Sequence, residues 1–353
     1  MHKLTSMFYD KKIYLLIGAI ILLVVFAVTA FVLAVKKSNY GKEIEDEPLV
    51  EILKITNEDA ISPIPSFDGN AIWFFTKKGK LFRVNLDGTS LTEVALPALS
   101  GEAVAAQWPM QGSDFILTMD QEWEMSRYYY NNQSKKFTFW PKNIQNFEWM
   151  PDSKRVAYVW KSTDGTSQQL TIADADTTGF RVVVNNLFWP DYKVLLAPNG
   201  MDALLIRSLA DEVNKIYKVE LDTGKFETVV EEGKNLDALW LPNSQKFIFT
   251  RASGSVYPRL YIYDFNSRKT TDLGFNSSLE KLSIDKDGKY LYVATPRKEN
   301  SGEEFVKLDL GSLKAETFIV PPSTIQAKNV IYIGGKIFYV NVLDGNLYSI
   351  FNK

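Results

Sequence analysis

One pattern recurs seven times along this chain, about 44 residues apart: an apolar strand, a turn of the Pro-Asp-Gly-Lys type, a second apolar strand, an aliphatic-aromatic strand ending in Asp, and a further turn. A single copy cannot bury both faces of its small sheet. A closed ring of copies can, so a repeat of this length and content predicts an all-β, seven-bladed β-propeller. The clearest copy reads Trp149-Met150-Pro151-Asp152-Ser153-Lys154-Arg155-Val156-Ala157-Tyr158, and Trp240-Leu241-Pro242-Asn243-Ser244-Gln245-Lys246-Phe247-Ile248-Phe249 repeats it with conservative changes. Aligned on the turn, the copies place Gly69, Gly112, Ser153, Gly200, Ser244, Gly288 and Gly335 at one position, with Asp or Asn before it in five of the seven. Asx followed by Gly is a tight-hairpin signal.

The last copy has three strands, at 330–333, 336–340 and 346–351, and lacks a fourth. An unpaired sheet edge is a liability. The strand-like run 49–56 belongs to no complete copy on its N-terminal side, so it is expected to close the ring as the outer strand of the seventh blade. Trp108, Trp149 and Trp240 recur at one place in the repeat, which points to packing between copies.

The Trp-x-Pro-Asp-x-Lys-x-x-x-Tyr pattern at 149–158 and the Tyr261-Ile262-Tyr263-Asp264 strand resemble the TolB-type, WD-like propeller repeat, over residues 49–353. That family includes periplasmic binding proteins and the non-catalytic propellers of oligopeptidases, so the resemblance implies a ring and leaves the activity open. Phe67-Asp68 and Lys286-Asp287 depart from it in lacking the proline, and no TolB-like α/β domain precedes the ring.

Ahead of the ring, 13–35 is a run of 23 residues without a charge, bracketed by Lys11-Lys12 and Lys36-Lys37. At 1.5 Å of rise per residue such a helix crosses a bilayer. It is longer than the apolar region of a cleavable signal peptide and lacks a clean cleavage site, so it is expected to stay as one transmembrane helix. The expected organisation is a cytoplasmic tail at 1–12, the membrane helix at 13–35, a polar linker at 36–48 and the propeller at 49–353. Lysines flank the helix equally, and the short tail favours a propeller outside the cytoplasm, at the cell membrane. The formal net charge is −2, and because the first 37 residues are basic the ring is mildly acidic. No run of Lys or Arg interleaved with aromatic residues offers a nucleic acid the basic face it needs.

The chemistry is bounded by one residue type. His2 is the single histidine and lies before the apolar run, and there is no cysteine. A Ser-His-Asp triad therefore lacks its general base, and zinc sites built from His and Cys lack their ligands. Ser162-Thr163-Asp164-Gly165-Thr166 lacks the spacing and Trp of a sialidase turn. The segments 174–179 and 285–288 look like calcium loops without the bidentate Glu. Two acids could still approach one another as in a glycosidase, but no pair stands out by spacing. The chain is thus expected to carry no catalysis, cofactor or metal, and to bind a protein or envelope component. A polysaccharide-binding or glycan-acting propeller is the alternative.

Between the second and third strands the copies differ in loop length, from Lys77-Lys78-Gly79 to the long 120–127, 161–168, 208–214, 251–259 and 296–303. Binding concentrates on variable loops over a rigid scaffold. Trp, Tyr and Arg dominate interface hot spots. The expected partner-binding residues are therefore Trp123, Arg127, Arg251, Tyr257 and Arg259 on these loops, with Trp140 and Trp189 on the connections between blades.

Overall fold

The computed structural model describes residues 22–31 and 49–353, apart from 123, 190, 208–211 and 298–301. Residues 50–353 form one compact unit of seven four-stranded antiparallel sheets. Blades 1 to 6 run in simple meander order over 61–94, 102–139, 144–184, 192–233, 238–276 and 282–319. The first strands of neighbouring blades touch one another around the ring, so these strands are innermost and line a central channel. Hydrophobic clusters lie between consecutive blades, each fed by both sheets. This is why second strands such as Val156–Val159 and Phe247–Phe249 are apolar on both faces.

Blade 7 is completed as the sequence anticipates. Val50–Lys54 pairs antiparallel with Leu347–Asn352, in the register Ile52 to Ile350, and becomes the outer strand of the sheet formed by 327–352. Ile52 and Val50 pack on the cluster that holds Ile337, Tyr339 and Ile350. The Leu347 amide also donates to Thr56 Oγ1, at 3.0 Å.

The turn chemistry divides between two positions. Gly69, Gly112, Gly200, Gly288 and Gly335 take the left-handed conformation, as do Ser153 and Ser244, both at φ 57°. The Asx residue before them acts through its side chain: Asp152 Oδ1 accepts from the Lys154 amide at 2.9 Å, and Asn199 and Asn243 accept likewise from Met201 and Gln245. The two serines bring a hydroxyl that glycine lacks. Ser153 Oγ accepts from the Gln111 amide and Ser244 Oγ from the Asn199 amide, each at 2.9 Å, so each hydroxyl ties its turn to that of the preceding blade.

The recurrent tryptophans do the same work deeper in the sheet. The Nε1 of Trp108 donates to Ser62 O (3.3 Å), that of Trp149 to Gln107 O (3.1 Å) and that of Trp240 to Leu195 O (3.0 Å). Each acceptor sits on the innermost strand of the preceding blade. Each indole thus packs one blade and satisfies a carbonyl of its neighbour.

Of the expected membrane helix, 22–31 is described and is helical, with exposed apolar side chains including Leu22, Phe26 and Phe31. Among the described residues no helix is long and apolar enough to cross a membrane. The rest of 13–35, the tail and the linker lie outside the described residues.

Candidate functional site

The loop residues expected to meet a partner are mostly engaged within the ring. Arg127 donates through Nη1 to Ile144 O (2.8 Å) and through Nη2 to Gln145 O (2.9 Å), which ties blade 2 to the inner strand of blade 3. Arg259 Nε bonds both oxygens of Asp272, at 2.9 and 3.1 Å. Trp140 is a correction: it is fully buried, packs edge-on against Phe147 and donates to Ala175 O at 2.8 Å, so it serves the core. Arg251 lies near the rings of Phe249 and Tyr261, at 5.6 and 5.5 Å, and its buried Nε has no hydrogen-bond partner. Tyr257 is half-buried, with the Lys281 ammonium 5.1 Å from its ring centre. Trp189 is exposed beneath the Arg207 guanidinium, at 4.1 Å, and Trp123 lies outside the described residues.

A large cleft lies on the opposite face, where the turns between first and second strands surround the channel mouth. It has a volume of about 940 Å³, opens along the seam between blades 1 and 2, and reaches Pro151, Pro198 and Lys286 of blades 3, 4 and 6. Its floor is a cross-strand row on blade 1, Ile64 beside Trp73 beside Arg83. Trp108 of blade 2 meets Trp73 edge-on at 5.9 Å. Phe67 and Met110, from the two adjacent turns, stand at the rim with 72% and 61% of their surface exposed.

The repeat shows why the seam opens here. In blades 2 to 6 the fourth residue after the turn position is Ile116, Ala157, Leu204, Ile248 or Tyr292, and each is buried to 2% exposure or less between blades. In blade 1 that position holds Trp73, which stays half-buried, and its buried Nε1 has no hydrogen-bond partner among the described residues. The indole packs edge-on against Trp108 of blade 2 and stays partly uncovered along the seam where the cleft opens.

Arg83 departs from the repeat as well. The corresponding third-strand positions of blades 4 and 6 carry Lys218 and Lys307, opposite Leu204 and Tyr292. Lys218 pairs with Asp202 at 3.4 Å and Lys307 with Glu316 at 3.3 Å. Arg83 bonds the neutral Asn85 Oδ1 at 3.0 Å, and among the described residues no carboxylate lies within ion-pair distance of it. The nearby Asp68 feels its charge, but Asp68 Oδ1 is held by Ser66 Oγ (2.5 Å) and the Asn70 amide (3.1 Å), bonds that keep its carboxyl below the usual range.

The inner strands bring charge toward the channel. Lys193 of blade 4 reaches Asp237 of blade 5 at 2.6 Å. Burial pushes the Glu148 carboxyl of blade 3 up to about 7, against the opposing pull of Lys193 and the Trp149 amide.

Sequence reasoning missed Phe67, Trp73, Arg83 and Met110 and assigned Trp108 to packing alone. The signal was present in the aligned copies, as a tryptophan where the copies of blades 2 to 6 carry Ile116, Ala157, Leu204, Ile248 and Tyr292.

No family model matches the chain, and no curated protein matches its sequence. Solved structures do share its fold. Oligogalacturonate lyase from Vibrio parahaemolyticus superposes with a TM-score of 0.64 at 9% identity, over 86% of this chain and 94% of that one. A prolyl endopeptidase matches 82% of this chain and 45% of its own, with a TM-score of 0.62 at 13% identity. A TolB from Agrobacterium tumefaciens matches 63% of this chain and 87% of its own, with a TM-score of 0.47 at 16% identity. At these identities the likeness establishes the seven-bladed ring alone. It also corrects one expectation. An enzyme stands among the proteins of this fold, so the expectation of a chain without catalysis does not stand.

Proposed function

We propose that this chain is a membrane-tethered propeller that binds a segment of a partner protein in the cleft between blades 1 and 2. The observation that carries the reading is the apolar rim, Phe67 and Met110, standing exposed over the Trp73–Trp108 pair. Exposed apolar patches beside a cavity mark interaction sites, and methionine adapts its shape to the side chain it meets. The tether is the uncharged run 13–35, and the short lysine-bearing tail supports a propeller on the outer side of the cell membrane.

A second reading, a glycan bound or processed in the same cleft, is supported by the two indoles, whose faces suit sugar rings. The fold it shares with oligogalacturonate lyase is compatible with it.

The test is the paired variant Phe67→Ser and Met110→Ser. Exposed substitutions cost about 0.5 kcal/mol or less each, so the melting temperature should hold while crosslinking to the partner is lost. Crosslinking that persists at wild-type yield would remove the cleft from the account.

A further inference from the structure

The cleft carries two cationic side chains against one carboxylate. Its walls are apolar and aromatic, and its charged groups are the Arg83 guanidinium, the Lys286 ammonium and the Asp68 carboxylate, whose Oδ1 is held by its own turn, with Gln111 and Ser113 as neutral polar side chains. Arg83 uses one N–H on Asn85 and has no ion-pair partner among the described residues, whereas its counterparts Lys218 and Lys307 each have one.

We propose that the ligand of this cleft is an acidic peptide segment, with a carboxylate on Arg83 and a neighbouring apolar side chain between Phe67 and the Trp73–Trp108 pair. The proposal rests on the cleft being the binding site and adds the chemical class of what enters it. A guanidinium beside an indole face is a site for a planar anion, because the fork donates two parallel hydrogen bonds to a carboxylate. Lys286, across the channel mouth, adds a second positive charge that draws an acidic chain along the opening. The exposed phenylalanine and methionine favour a peptide over an acidic oligosaccharide, since sugars gain from flat ring faces and polar partners and little from a flexible thioether.

The test uses the purified full chain and the acetylated, amidated peptide Glu-Leu-Phe-Glu, with Gln-Leu-Phe-Gln as its neutral counterpart, read by indole fluorescence. The acidic peptide should bind about tenfold tighter, the worth of one charge-assisted hydrogen bond on a partly exposed surface. Added salt should weaken the acidic peptide and leave the neutral one unchanged. Arg83→Met should abolish the preference without changing affinity for the neutral peptide, and Arg83→Lys should keep part of it. Phe67→Ser should weaken both peptides alike. Equal affinities of the two peptides in the wild-type chain would overturn the ligand class while leaving the cleft in place. Quenching by a uronic-acid oligosaccharide with no response to either peptide would overturn the peptide in favour of a glycan. No response to any of these probes would overturn the proposal as well.

Discussion

Removing the ammonium of Lys281 should destabilise the ring more than any substitution at its surface. Lys281 ends the short 3₁₀ turn Leu279–Lys281 before blade 6, and Glu303 opens the third strand of that blade. Their side chains are 5% and 4% exposed, among the deepest charges described, with Nζ and Oε1 at 2.6 Å. Blade 7 completes the network: Nζ also donates to Ala327 O at 2.7 Å, and Glu303 Oε2 accepts from the Ala327 amide at 2.7 Å. In Lys281→Met the carboxylate keeps a single backbone donor in a desolvated site, and Ala327 O loses its partner. Breaking a buried pair from one side costs about 3–5 kcal/mol. For a domain of this size that corresponds to a fall in melting temperature on the order of 10 °C. Glu303→Gln should cost a similar amount, while the double variant Lys281→Met with Glu303→Gln removes both charges and should cost clearly less than the sum of the two. Circular-dichroism melts and urea titrations of the four proteins close the cycle. Salt should leave the coupling intact, because buried charges are little screened. A Lys281→Met protein within about 1 kcal/mol of wild type would refute the reasoning, since that is the worth of a solvated pair.

Three further outcomes follow from the fold. Trp149→Phe keeps the ring but removes the indole hydrogen bond to Gln107 O across the blade seam, and should lower stability by about 1 kcal/mol in urea unfolding. Deleting 50–54 exposes the edge of Leu347–Asn352 and should lower the melting temperature and cause concentration-dependent aggregation, seen by light scattering; an unchanged melt would contradict the closure. Glu148 is raised from 4.5 to about 7, so the unfolded chain releases this proton at lower pH than the folded one does. Stability should therefore fall as pH rises through that window and level off above it, and Glu148→Gln should flatten the slope of urea midpoint against pH.

The architecture was legible because a propeller writes itself as a period. Asx before Gly at the turn, an apolar second strand and a tryptophan at a fixed place in three copies gave the number of blades, and a three-stranded last copy gave the closure. The Ser153 and Ser244 positions looked like imperfect glycines in the sequence. Only the hydrogen bonds to Gln111 and Asn199 show why a hydroxyl serves there despite the left-handed backbone. The site was less legible. Loop length drew attention to Arg127 and Arg259, and a blade-to-blade connection to Trp140, and all three turn out to bond carbonyls or a carboxylate of the propeller itself. Hot-spot residue types say nothing of what a side chain already touches. The cleft lies where one copy departs from the others, with Trp73 half-buried at a position that blades 2 to 6 bury fully and Arg83 without a counter-ion among the described residues, and both are exceptions that only the alignment of copies in space makes evident.

The most direct test of the central claim is to place a photoreactive amino acid at Phe67, on the rim of the cleft, or at Phe188, exposed on a connection between blades 3 and 4, and to irradiate living cells. The account predicts a discrete protein adduct from position 67 that disappears in an Arg83→Met background, and none from position 188. Adducts from position 188 with none from position 67 would place the binding face on the long loops and contradict the account.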